Sequence, residues 1–195
     1  MVMVNLILPF AAPDPELEAG APVVSLADRF NHMSEDEFYE FCQRNAELKF
    51  ERRADGTIEF MHTTGGTTGQ RNSELITDLT IWNRQHRMGF VFDSSTGFRL
   101  PNGAVRSPDV AWVRREAWQA LTTGQQERFP PLCPDFAVEL ASPSDSLPDL
   151  AAKMQEYIAN GCHLAWLIDL VRAGLPSYVI PLDLLPAALL APLFN

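Results

Sequence analysis

Apolar residues recur along this chain with two periods, and the switches between them mark out its elements. Ser34 and Glu37 form a capping-box pattern, and Phe38, Phe41 and Cys42 follow at helical spacing. That pattern predicts a helix of about three turns. Leu48 to Arg52 and Thr57 to Met61 flank Asp55-Gly56, a two-residue turn signal, and predict a hairpin over 48–62. Gly65, Gly66 and Gly69 then read as a loop before a helix from Arg71 to Arg87, with Leu75, Ile76, Leu79 and Trp82 on its apolar face and Gly89 as its stop. The glycine spacing fits neither a P-loop nor a dinucleotide fingerprint.

Strands are expected at Phe90–Asp93, Gly97–Leu100, Asp109–Arg114, Asp135–Ala141 and His163–Asp169. A short helix over Glu116–Leu121 and a longer one over Pro148–Asn160, ending at Gly161, separate the last of them. A helix between two late strands implies a parallel crossover, so the fold class is α/β, or α+β, with a central mixed β-sheet flanked by helices. The length of 195 residues suits one sizeable core. Prolines 9, 13, 15 and 22 with Gly20 make residues 1–25 read as a mobile leader, residues 26–169 as the domain, and 170–195 as an apolar, proline-punctuated tail.

Within this pattern two acids interrupt apolar strands: Asp109 in Ser107-Pro108-Asp109-Val110-Ala111-Trp112, and Glu139 in Phe136-Ala137-Val138-Glu139-Leu140. Carboxylates in core strands need a shared cation or strong hydrogen bonds to offset desolvation. If the strands are neighbours the two acids converge and repel, a situation that Mg²⁺, an oxygen-seeking ion that keeps several waters, relieves. Lys153 lies on the margin of the stripe formed by Leu150, Met154, Tyr157 and Ile158. An ammonium beside such a metal site can steady charge developing on a phosphate. Spacing alone favours a solvated helix lysine. Ser142-Pro143-Ser144-Asp145 turns the chain after Glu139. Ser144, Asp145 or Ser146 is a candidate helix cap, with Ser142 as a secondary candidate for phosphate contact. No G-x-S-x-G or matched His-Asp context supports a serine nucleophile.

Composition narrows the field. Cys42, Cys133 and Cys162 form no C-x-x-C pair and are odd in number, so a disulfide framework is not expected and a reducing cytoplasm is. His32, His62, His86 and His163 lack zinc spacing. The N-terminus has no basic n-region, and charges and prolines break the apolar tail, so neither a signal peptide nor a membrane span is expected. A net charge of −10 opposes nucleic-acid binding, but residues 41–115 carry eleven basic against eight acidic groups, leaving room for a locally basic face.

At these residues the chain resembles the Uma-two family of restriction endonuclease-like proteins, within the PD-(D/E)xK nuclease superfamily. The resemblance covers roughly residues 33–169. It rests on Met33-Ser34-Glu35-Asp36-Glu37-Phe38, Thr64-Gly65-Gly66, Arg71-Asn72, Ser95 to Gly103, Arg106-Ser107-Pro108-Asp109, Pro134-Asp135-Phe136, Glu139, Ser142 to Asp145, Lys153-Met154-Gln155-Glu156-Tyr157, Gly161 and Trp166-Leu167-Ile168-Asp169. It implies a restriction-endonuclease-like core in which Asp109 and Glu139 are the metal-binding acids and Lys153 is the lysine displaced from strand to helix; the position two after Glu139 is Ala141. Glu74 and Glu51 are further acids that could touch the metal. After Asp169 the chain is expected to leave the family's pattern of a basic, β-rich continuation, which would leave a sheet edge unfinished.

The expectation is therefore a Mg²⁺-dependent endonuclease, with Mn²⁺ as substitute, acting on DNA, homodimeric, cytoplasmic, without membrane attachment or organic cofactor. The competing expectation is a catalytically inactive DNA-binding or dimerisation module in which the same acids hold the fold.

Overall fold

The computed structural model describes Phe30, residues 32–143 and residues 145–169. The expected leader, the expected tail and the candidate cap Ser144 lie outside the described residues. Thirteen elements follow in order: α1 (Glu35–Arg44), β1 (Lys49–Arg52), β2 (Ile58–Met61), α2 (Gly66–His86), β3 (Gly89–Asp93), β4 (Phe98–Arg99), β5 (Val105–Arg106), β6 (Val110–Arg114), α3 (Arg115–Gln119), α4 (Thr123–Gln126), β7 (Phe136–Leu140), α5 (Leu147–Ala159) and β8 (Leu164–Ile168).

The strands form two four-stranded sheets, ordered β2-β1-β5-β4 and β3-β6-β7-β8. The first is antiparallel throughout. The second is mixed: β3, β6 and β7 pair antiparallel, while β7 and β8 run parallel across the α5 crossover. This is the expected α/β class with a central mixed sheet. The strand period of two sorts the mixed sheet's side chains to opposite faces. Val110 and Trp112 of β6 and Phe136 and Val138 of β7 pack against Leu75, Ile76, Leu79 and Trp82 of α2. Ala111, Val113 and Ala137 face the other way, toward Tyr157 and Met154 of α5 and Phe98 of β4. A third cluster seats α1, through Phe38 and Phe41, on Phe50 and Val105 of the antiparallel sheet.

Several boundaries differ from the sequence pattern for local reasons. The capping box of α1 forms as expected, with Glu37 N donating to Ser34 Oγ and Ser34 N donating to Glu37 Oε2. The hairpin forms too, but Arg53 N donates to Thr57 O at 2.8 Å, so three residues rather than two make the loop, with Gly56 at φ 90°. That left-handed glycine is the closing residue of a three-residue hairpin loop. Helix α2 starts at Gly66 rather than Arg71, because Gly65 is the N-cap and accepts the Gly69 N–H at 2.9 Å, drawing the glycines into the first turn. Its stop is Arg87, at φ 56°, and not Gly89. Gly89 instead opens β3, where a Cβ would lie 2.5 Å from the Trp112 ring. Ser146 is the N-cap of α5 by position, with no side-chain capping hydrogen bond.

Candidate active site

The two acids of the sequence pattern meet. Strands β6 and β7 pair with Val110 opposite Val138, and continuing that antiparallel register sets Asp109, just before β6, opposite Glu139. Glu139 shares the Ala137 face of β7 and points toward α5. Asp109 is half-buried and held at both oxygens: Leu140 N donates to Oδ2 at 2.8 Å and Asn72 Nδ2 donates to Oδ1 at 2.9 Å. Asn72 Oδ1 is buried as well, and among the described residues nothing donates to it.

Glu139 is 5% exposed. Its Oε1 accepts from Tyr157 Oη at 2.9 Å and pairs with Lys153 Nζ at 2.8 Å. Burial pushes its carboxyl up to about 7; Lys153 draws it down, and Asp109 and Glu51 push it further up. Lys153 reaches this point from the helix because it stands one turn before Tyr157 on the same face of α5. Its ammonium pairs at the same time with Glu51 Oε1 at 2.8 Å. Burial works against that charge, yet Glu139 and Glu51 prevail and raise the pKa above the usual lysine value. Tyr157 is likewise raised well above its usual value by burial and by these two carboxylates, so it stays a protonated donor.

Of the remaining candidates, Glu51 lies inside the constellation, 2% exposed, contributed by β1 of the other sheet. Glu74 sits on α2 and accepts from Gln70 Nε2 of its own helix at 3.1 Å, rather than joining Asp109 or Glu139. Ser142 donates its backbone N–H to Asp145 Oδ2 at 2.7 Å, which shapes the turn after β7.

Arg106, Asn72 and Tyr157 complete the site although their roles were not legible beforehand. Arg106 is 8% exposed and bonds to Glu51, Glu59 and Glu156. Tyr157 had a usable signal, its spacing of four from Lys153. Asn72 and Arg106 had none beyond standing inside the resembling motifs. Beside Glu51 and Lys153 opens a groove of about 730 Å³, walled by Phe60 and Met61 of β2 and by Asp149 and Leu150 of α5.

Among the described residues no three His, Cys, Asp or Glu side chains form a closed metal cage. The donors present are two carboxylates and an orphaned amide oxygen. That is an all-oxygen set of the kind suited to a hard cation that retains waters.

Residues 35–180 match the family model described as "Uma2: Putative restriction endonuclease". The chain belongs to the Uma2 family. The match continues beyond Asp169, into the segment expected to leave the family pattern, although residues 170–180 lie outside the described residues. A crystal structure of a "putative nuclease belonging to DUF820" from Anabaena variabilis is similar, at 19% identity and a TM-score of 0.58, over 70% of this chain and 74% of that one. That likeness supports the restriction-endonuclease-like fold for this Uma2 protein. No curated protein matches the chain. Among the described residues no helix is long and apolar enough to cross a membrane.

Proposed function

We propose that this Uma2 protein is a magnesium-dependent endonuclease that hydrolyses phosphodiester bonds of DNA, with Asp109 and Glu139 as metal ligands and Lys153 as catalytic lysine. One observation carries the reading: two carboxylates on adjacent strands meet a buried lysine that arrives from a different element, 2.8 Å from one of them. A structural ion pair needs only Lys153 and Glu139. Asp109, beside them and raising the Glu139 pKa, adds a second negative charge that no cation among the described residues neutralises by direct contact.

Asp109 and Glu139 would hold the ion, with Asn72 Oδ1 as a neutral oxygen at the margin. Bound there, a divalent cation supplies charge neutralisation for the scissile phosphate and lowers the pKa of water. The chain's own groups do the rest. Asn72 and the Leu140 N–H fix the rotamer of Asp109. Tyr157 keeps one oxygen of Glu139 occupied as a protonated donor, which leaves the other for the cation. Lys153, kept protonated by its two carboxylates, presents a cation where negative charge builds on the phosphoryl oxygens.

The test is nicking of supercoiled plasmid with Mg²⁺ and with Mn²⁺, comparing the parent with Asp109→Ala and Lys153→Ala at matched circular dichroism. The expected result is cleavage by the parent alone, with Lys153→Ala slowed about 10²–10³-fold. A folded parent that binds neither ion by calorimetry and leaves the plasmid intact refutes the proposal in favour of a non-catalytic module of the same fold.

A further inference from the structure

A lysine carried on a helix has a four-carbon stem and three mobile donors, and nothing in its own chemistry fixes where the ammonium stands. Around Lys153 that job falls to groups converging on Arg106. Its Nη1 donates to Glu51 Oε2 at 3.0 Å and to Glu59 Oε2 at 2.9 Å, and its Nε donates to Glu156 Oε2 at 2.6 Å. The next residue, Ser107, donates its backbone N–H at 2.7 Å to Glu51 Oε1, the same oxygen that pairs with Lys153. The Arg106-Ser107 pair thus grips both oxygens of Glu51. Glu156 is held from its other side by Asn102 Nδ2 at 2.9 Å and lies on α5 three residues after Lys153. Arg106 therefore holds the carboxylate in front of the ammonium and the helix turn behind it. Its planar fork does this in a way an ammonium cannot copy.

We propose that Arg106 is a positioning residue that acts on the reaction only through Lys153, by fixing Glu51 and Glu156 so that the ammonium stands beside Glu139. This rests on the reading of Lys153 as the catalytic lysine. A purely structural Arg106 would pin the antiparallel sheet to α5 and affect every function of the site alike.

The experiment uses the full chain with Arg106→Lys, Lys153→Ala and the double variant. Lysine at 106 keeps a buried cation for the three carboxylates and removes only the fork. Plasmid nicking is expected to lose about 10²-fold in kcat, with KM for DNA and the Mg²⁺ half-saturation unchanged. In the Lys153→Ala background the same substitution is expected to add no further loss, the signature of residues acting as a unit. An equal loss in both backgrounds overturns the proposal.

A second readout needs no cleavage. The parent has two lysines, Lys49 and Lys153, so Nζ-labelled protein gives two ammonium signals, and Lys153→Ala assigns them. Arg106→Lys adds a third ammonium signal, which the double variant with Lys153→Ala assigns, and is expected to broaden or displace the Lys153 signal, while Arg53→Ala, which removes the exposed partner of Glu59, leaves it unmoved. An unchanged Lys153 signal in folded Arg106→Lys overturns the proposal whether or not the protein cuts DNA. A displaced signal in a protein that never cuts refutes the nuclease reading and leaves the positioning intact. Should Arg106→Lys fail to fold, Glu156→Gln carries the same two readouts.

Discussion

Two clusters of buried charge lie side by side in this molecule, and they are balanced differently. Around Arg106, the acids Glu51, Glu59 and Glu156 each bond to the one guanidinium, and Lys153 and Arg53 reinforce Glu51 and Glu59. At the facing ends of β6 and β7, Glu139 pairs with one ammonium that is shared again with Glu51, while Asp109 contacts no cation among the described residues. The paired cluster behaves as framework, since removing Arg106 leaves Glu156 without an ion-pair partner among the described residues and Glu51 with Lys153 alone. In the underpaired cluster burial, aided by Asp109 and Glu51, pushes the Glu139 carboxyl up to about 7. A fold keeps such an imbalance at a cost, and sites that bind cations are where the cost is offset.

The sharpest way to break this comparison is to unbalance the balanced side. Arg106→Met leaves Glu51, 2% exposed, without its guanidinium. Removing one partner of a buried ion pair typically costs about 3–5 kcal/mol. Urea unfolding at neutral pH is expected to show a loss of that order. A loss below about 1 kcal/mol, the range of surface pairs, would show that the cluster is not framework.

The underpaired side is expected to show itself through pH. In the native protein the Glu139 carboxyl titrates at about 7 against an ordinary 4.5. Between those values the folded state holds a proton that the unfolded chain has released. Stability contributed by this group is therefore greatest below 4.5 and declines as pH rises to about 7, by on the order of 3 kcal/mol in total. Measured in EDTA, parent minus Glu139→Gln should give this downward slope. A flat difference would mean that Glu139 is ionised throughout and that the two clusters do not differ.

Tyr157→Phe tests the same carboxylate by a smaller step. The hydroxyl donates to Glu139 Oε1 at 2.9 Å, and a hydrogen bond to a charged group contributes about 1.5–3 kcal/mol. The loss is expected mainly above pH 7, where Glu139 is ionised, and should shrink in acid. A loss independent of pH would instead report the packing of the ring.

Much of this contrast was written in local patterns. The alternation that buries Val110, Trp112, Phe136 and Val138 on one face puts Glu139 on the other, and helical spacing brings Lys153 and Tyr157 to it. Fold class and the meeting of Asp109, Glu139 and Lys153 follow from those periods and from the family resemblance. The balanced cluster was not legible, because its bonds are long-range: Glu51 lies 55 residues from Arg106 and 102 from Lys153. It also depends on β5, a strand of two residues that pairs with β1 through Arg52 and Val105. So short a segment has no period to read. The glycine-rich start of α2 failed for a different reason: glycine's low helix propensity is a weak prior, and a first turn needs few side-chain contacts.

The smallest expected effect comes from an ion pair that lacks what both clusters have, which is burial. Arg44 Nη2 and Glu40 Oε2 stand 3.3 Å apart at i and i+4 on α1, with side chains 47% and 54% exposed. The glutamate is N-terminal to the arginine, and the arginine is in the last turn, so orientation and helix dipole both favour the pair. Water and salt screen it, and two long side chains lose freedom to make it. Arg44→Ala is therefore expected to cost no more than about 0.5 kcal/mol in urea unfolding, and that cost should vanish in molar salt. Arg106→Met should lose several-fold more and keep most of that loss in the same salt, because ions do not enter where Glu51 lies. Equal losses for the two arginines, or equal erosion by salt, would remove burial as the cause of the difference and with it the distinction between framework charge and site charge.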